Sequence, residues 1–221
     1  NIIRYVDMPE STRRMYDVVY EEFLENAKEG DKRLIQSSFI RMRQIASGFL
    51  YFKDDQGNRS QMIFPENPKL EILQEVIEGL PEKSKIIVFY EYIFTGQMIS
   101  KHLTKMKIKH CILGGGQSDG DMQVKRFQTD PKYRVIAINN KAGGSSLNLQ
   151  VADRVFYFET PTDPKDRKQT AKRIDRIGQK AKRIYYYDVV MRGTNDKAIL
   201  ESIKNGQDLY KQIILGKRDV K

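Results

Sequence analysis

The residues best suited to chemistry lie in "QTAKRIDRIGQK", Gln169 to Lys180. Arg173 follows Gln169 by four positions and Arg176 follows Arg173 by three, so on an α-helix all three project from one face. A guanidinium keeps its charge, and its planar fork matches phosphate oxygens, which suits it to charge developing during phosphoryl transfer. Ala171, Ile174 and Ile177 form a second stripe that can pack against a sheet. The competing reading is a solvated charged face, because Lys165, Arg167, Lys168, Lys172, Lys180, Lys182 and Arg183 crowd the same region. Spacing alone leaves both readings open.

Two glycine-bearing loops offer anion chemistry. In "LGGGQSDGD" the run Gly114, Gly115, Gly116 lets backbone amides approach an anion without side chains in the way. It is not the dinucleotide fingerprint, and a plain flexible turn explains it equally. "NNKAGGSSLNL", Asn139 to Leu149, sets Lys141, Gly143, Gly144 and two serines beside Asn148, which stands between Leu147 and Leu149. Amides and hydroxyls there could meet phosphate while the leucines anchor the loop. It is not a Walker A loop, since Lys141 precedes the glycines. A connecting loop with incidental polarity remains the alternative.

These loops must be held by an α/β framework. Short apolar runs, 85–90, 109–113, 133–138, 154–158 and 183–190, read as strands. Helical patterns near 92–107, 119–129 and 164–177, and from 195 to 215, separate or follow them. Nearly continuous apolar strands alternating with helices predict a mostly parallel sheet covered on both faces, a three-layer arrangement. Ligands of such sheets collect beyond the strands' carboxyl ends. Residues 1–80 read as helical, with helices from Ser11 to about Gly30, 31–47 and 68–79, and a loop or small hairpin around "DDQGN". The expected organisation is an N-terminal helical extension over 1–80 and an α/β lobe with a C-terminal helix over 81–221.

Composition narrows the function. The chain has 221 residues and a formal net charge of +10, distributed unevenly. Residues 1–80 carry 11 Lys+Arg against 14 Asp+Glu, whereas residues 81–221 carry 28 against 15. A basic surplus of this kind is the footprint of a polyanion partner, nucleic acid first. One cysteine and two histidines argue against a disulfide framework and a typical zinc site. No apolar run is long enough to cross a bilayer and no secretory leader is evident. The chain starts at Asn1 without methionine, as a fragment of a longer protein would, and an intracellular setting is expected.

The order of these segments carries a resemblance. "KIIVFYEY", "ILGGGQ", "NKAGGSSLNLQVADRVFYFE" and "QTAKRIDRIGQ" resemble, in sequence, the second RecA-like lobe of superfamily-two helicase-like ATPases of the SWI/SNF type. The matching residues are Ala142, Gly143, Gly144, Leu147, Asn148, Leu149, Ala152, Asp153, Glu159, Gln169, Arg173, Arg176, Gly178 and Gln179. "GTNDKAIL" is similar to the start of the family's last helix, and "RMRQIASGFLY" to a segment found before the lobe in bacterial and phage-like members. The sequence departs from the pattern at Asn139 and Asn140, where the family has Ser-Thr. It also has Ser146 in place of a glycine, and no tryptophan.

The resemblance implies ATP hydrolysis in a cleft between two lobes, with translocation along nucleic acid, double-stranded DNA before RNA. Arg173 and Arg176 would be the arginine fingers, and Gln169 and Asn148 would line the nucleotide. Tyr90, Glu91, Gly114, Gly115, Asn140, Lys141, Ala142 and Gly143 would meet the nucleic-acid backbone. ATP and Mg would be held mainly by an N-terminal RecA-like lobe of the same parent, because this sequence has no GxxxxGK[ST] and no acidic box. The chain alone is expected to be inactive as an ATP hydrolase. Location would be cytoplasmic in a bacterium, or nuclear in a eukaryote. The alternative function is a non-catalytic basic α/β module that binds nucleic acid.

Overall fold

The computed structural model describes residues 1–54, 56–114, 119–142, 147–175 and 178–205, together with residues 209 and 213. In chain order the elements are β1 (Ile2–Val6), α1 (Glu10–Glu29), α2 (Lys32–Ala46), β2 (Phe49–Lys53), β3 (Arg59–Ile63), α3 (Pro68–Glu78), β4 (Ile86–Tyr90) and α4 (Ile93–Lys105). There follow β5 (His110–Leu113), α5 (Gly120–Thr129), β6 (Val135–Asn139), β7 (Arg154–Tyr157), α6 (Pro164–Lys172), β8 (Tyr185–Met191) and α7 (Asn195–Asn205). The chain divides into two compact units, one of residues 1–4 and 70–189, the other of residues 5–69 and 190–221.

The main sheet has six strands in the order β1-β8-β7-β4-β6-β5. The pairs β4–β6, β4–β7, β5–β6 and β7–β8 are all parallel. β4 and β6 are buried at every residue, which is why their sequences show no polar alternation. Successive side chains of β4 point to opposite faces. Ile87 and Phe89 join Val124 and Phe127 of α5 in one core cluster, with Ile136, Ile138, Val155 and Tyr157. Tyr90, on the other face, lies against Gly96 of α4, where an added Cβ would come within 2.5 Å of its ring. Helices therefore cover both faces, as the α/β, RecA-like reading expects.

The topology places the informative loops together. From β4 the chain passes over β6 to β5 and returns to β6. It then crosses β4 to reach β7, so the loops after β4, β5, β6 and β7 share the carboxyl edge of the sheet.

Two sequence expectations need correction, and one open alternative is decided. Residues 2–6 form a strand beside β8, not part of a helical extension. Of the loop and the small hairpin expected around "DDQGN", the structure has the hairpin, with β2 and β3 antiparallel from Phe49↔Ile63 to Lys53↔Arg59. The helix expected over 164–177 ends at Lys172.

In the second unit, α7 is tied to α1 by polar contacts. Tyr16 Oη accepts the Asn195 amide at 2.7 Å, and Arg13 donates to the carbonyls of Arg192 and Gly193, each at 2.7 Å. Burial pushes the Tyr16 hydroxyl's pKa upward, which keeps it neutral there. Lys69 forms a buried ion pair with Asp196 at 2.7 Å. Replacing Lys69 with alanine strands that carboxylate and should cost about 3–5 kcal/mol, read as a lowered urea midpoint at unchanged slope.

Candidate nucleotide and nucleic-acid site

α6 begins where the sequence dictates. Asp163 caps it, its carboxylate accepting the Lys165 amide at 2.7 Å, and Pro164 occupies the first turn. Its inner face is fixed by Arg167, whose two terminal nitrogens bond the fully buried Asp188 of β8 at 2.6 and 3.0 Å. The same guanidinium lies 3.4 Å from the Tyr157 ring centroid, and Tyr157 Oη is 2.8 Å from Thr170 Oγ1. Burial pushes the Tyr157 hydroxyl's pKa up to about 12, so it stays protonated and able to donate.

The far end of α6 is set by a tertiary contact. The carbonyl of Arg173 accepts the Leu149 amide at 3.0 Å, whereas in a continuing helix it would accept residue 177's amide. Gln179 reinforces the junction by donating to the carbonyls of Ala152 and Ile174 at 3.0 and 3.2 Å. Gly178 stands at φ 100°, with the Gln150 amide 3.1 Å from where a Cβ would be. Leu149 and Ile174 are fully buried in the core cluster, and Leu147 packs on it. The leucines of "SSLNL" thus anchor the loop.

The Leu149–Arg173 bond brings the Asn148 loop to the end of α6, but Gln169 and Arg173 do not form one exposed helical face. Arg173 is only 4% exposed and follows the helix's last residue, while Gln169 and Asn148 are exposed. Asn148 is itself held, its carbonyl accepting from Gln128 at 2.6 Å. Arg176 lies outside the described residues, as do Gly115 and Gly143.

The loops after β4 and β6 interlock. Asn140 donates its backbone amide to the Tyr90 carbonyl at 2.7 Å, and Asn139 Nδ2 donates to the Glu91 carbonyl at 2.8 Å. The Lys141 amide bonds Asn139 Oδ1 at 3.0 Å, and the Ala142 amide bonds the Asn139 carbonyl at 2.9 Å. The Glu91 carboxylate accepts from Asn140 Nδ2 at 3.0 Å and pairs with Lys141 Nζ at 3.5 Å. The Tyr90 side chain is buried beneath Gly96 and Gly114, with Oη donating to the Leu113 carbonyl at 3.2 Å. Gly114 is at φ 150°, and a Cβ there would stand 2.7 Å from both Tyr90 Oη and Asn139 Cβ. Only a residue without a side chain fits that approach.

Glu159 supports these loops from below. Its buried carboxylate accepts the Glu91 amide at 2.6 Å and the Thr95 hydroxyl at 2.6 Å, fixing the N-terminus of α4 where an anion is favoured.

The family profile of the helicase conserved C-terminal domain matches residues 68–178, half of the chain. The chain belongs to that family. An uncharacterized ATP-dependent helicase of Mycoplasma genitalium is 25% identical over 216 residues, 96% of this chain and 20% of that protein. The C-terminal part of the Fun30 ATPase domain aligns with TM-score 0.78 at 16% identity, covering 98% of this chain and 97% of that chain. The Sulfolobus solfataricus SWI2/SNF2 ATPase core in complex with dsDNA gives 0.69 at 24% identity, covering 96% and 46%. The fold is that of the C-terminal lobe of SWI2/SNF2 ATPases, and the chain spans a fifth of its Mycoplasma relative's length.

In this helicase C-terminal domain, three positions that matter to the site were not singled out as site residues by sequence reasoning. Arg167 was one cation among many, and nothing in its own stretch announces Asp188. Gln179 and Glu159 were visible as motif letters, but their bonding was not.

Two outcomes follow from this geometry. Asp188→Ala leaves the Arg167 charge without its buried partner and should cost about 3–5 kcal/mol, seen as a lowered thermal midpoint. Burial also raises the Tyr90 hydroxyl's pKa to about 12, as for Tyr157. The folded state therefore keeps protons that the unfolded chain releases near pH 10. Stability from these groups is complete below pH 10 and falls as pH rises towards 12. Denaturant midpoints should show that decline, which Tyr90→Phe should reduce.

Proposed function

We propose that this chain is the second motor lobe of an ATP-dependent translocase acting on double-stranded DNA. One observation carries the proposal. Arg173, Asn148 and the Gly178–Gln179 pair, separated by up to 31 positions in sequence, are locked at one junction by the Leu149–Arg173 bond and the Gln179 bonds. A loop and a helix end bound so tightly hold the Arg173 backbone in a defined place, the starting point for presenting its guanidinium to charge in a transition state. Arg173 is also kept from bulk water, where its field on a neighbouring phosphate is least screened.

The residues present fit an anionic phosphate and not its metal. Arg173 stands at the junction, and no cluster of three His, Cys, Asp or Glu able to hold a metal occurs among the described residues. Mg and the phosphate cradle are assigned to an N-terminal lobe of the parent protein, consistent with a relative five times longer. When bound, ATP supplies the phosphoanhydride whose cleavage drives the cycle. Arg173 and Arg176 supply positive charge at its outer phosphate, and Gln169 and Asn148 border the nucleotide. Double-stranded DNA is the favoured track because the basic surplus lies in residues 81–221 and a structural relative is described in complex with dsDNA.

The test uses a parent protein that carries both lobes. Arg173→Ala should lower kcat for DNA-stimulated ATP hydrolysis by about 10³–10⁵-fold while duplex affinity changes little. The 221-residue chain alone should hydrolyse no ATP. Turnover by the isolated chain would sink the half-site reading. If Arg173→Ala instead weakens DNA binding and leaves hydrolysis intact, the chain is a basic binding module.

A further inference from the structure

The loop after β6 contains the donors expected to meet a nucleic-acid backbone, yet each of those described is already engaged within the protein. The amides of Asn140, Lys141 and Ala142 bond the Tyr90 carbonyl, Asn139 Oδ1 and the Asn139 carbonyl. The side-chain donors converge on one residue. Asn139 Nδ2 reaches the Glu91 carbonyl, Asn140 Nδ2 reaches Glu91 Oε2, and Lys141 Nζ lies 3.5 Å from Glu91 Oε1.

A carboxylate that takes one amide N–H and one ammonium through its two oxygens offers what a phosphate diester offers, a pair of anionic acceptors. Two of the positions at which this chain departs from the SWI/SNF pattern, Asn139 and Asn140, bind residue 91. We propose that Glu91 is a built-in surrogate for a backbone phosphate. It holds Lys141 and Asn140 while no nucleic acid is bound, and it sets the lobe's affinity for DNA because a phosphate must displace it. The inference rests on the nucleic-acid reading above.

The exposures fit an exchangeable contact. The Lys141 side chain is 78% exposed and Glu91 is 17% exposed, so the ammonium can swing to a ligand while the carboxylate stays near the sheet. With its ammonium this open to solvent, the pair is weakly held and salt-sensitive, which makes replacement by a denser anion feasible. The fixed parts do not depend on the Glu91 side chain, since its backbone amide is held by Glu159 and its carbonyl by Asn139. Loss of its charge should therefore leave the loops in place.

The experiment measures binding of a labelled mixed-sequence DNA duplex to the 221-residue chain by fluorescence anisotropy over a salt series, with thermal melting as the check on folding. Glu91→Gln keeps an acceptor for Asn140 and removes the charge. It should tighten binding severalfold at low salt and steepen the log–log salt slope by up to about 0.9, the value of one more neutralised phosphate. Lys141→Ala should abolish that gain in the Glu91→Gln background and cost far less in the wild-type background. Glu91→Asp, which keeps the charge on a shorter arm, should fall between wild type and Glu91→Gln and serves if the latter melts abnormally. Equal or weaker binding by folded Glu91→Gln, with wild type binding duplex, overturns the inference alone. If neither chain binds duplex at low salt, the nucleic-acid reading falls and the inference falls with it.

Discussion

The presentation of α6 rests on a charge pair whose carboxylate lies where water does not reach. Asp188 is fully buried on β8, and Arg167 meets both its oxygens while its guanidinium sits over the Tyr157 ring. Burying two charges is costly, and the attraction between them offsets this only when the remaining hydrogen-bonding capacity is also satisfied. Here the two-pronged contact and the aromatic face supply that compensation, and the geometry they demand leaves α6 one orientation on the sheet. The helix carries Gln169 outward and delivers Arg173 to the loop ahead of β7. Had the inner face been apolar, α6 could slide or rotate with smaller penalties, because apolar contact is not directional.

The same logic governs the end of α6. An α-helix stops when its last carbonyls find better partners than the next turn. For Arg173 that partner is the Leu149 amide, positioned because Leu149 itself is buried in the core. Core packing, loop conformation and the site of the arginine are one coupled arrangement. Gln179, which bonds carbonyls from both segments, closes it. On the other side of the sheet edge, Glu159 does the analogous work for the loop after β4 and the start of α4. The carboxyl edge of this sheet is thus a set of loops tied to each other by polar contacts, above strands whose burial is mainly apolar.

Much of this was readable from residue order. The apolar runs of β4, β6 and β7 announced buried parallel strands, since a strand covered on both faces has no polar side to show. The helical pattern from residue 164 matched the start of α6. The leucines around Asn148 announced an anchored loop. The strand at residues 2–6 was not announced: five residues of mixed burial become a strand through the partner beside them, and β8 lies almost the whole chain away. The extension of α6 to 177 was misread for a similar reason, because Ile174 and Ile177 keep helical period whether or not the backbone remains helical.

The sequence by itself determined the framework and the inventory. Its strand and helix order, its basic C-terminal portion and its spaced arginines follow from local pattern and composition, which act over a few residues. The tertiary structure alone decided how those groups are used. It buried Arg173, gave Arg167 to Asp188, and placed Glu91 against Asn140 and Lys141. Each of those outcomes depends on partners 21 to 50 positions apart, brought together by strand order, and residue spacing carries no record of such meetings.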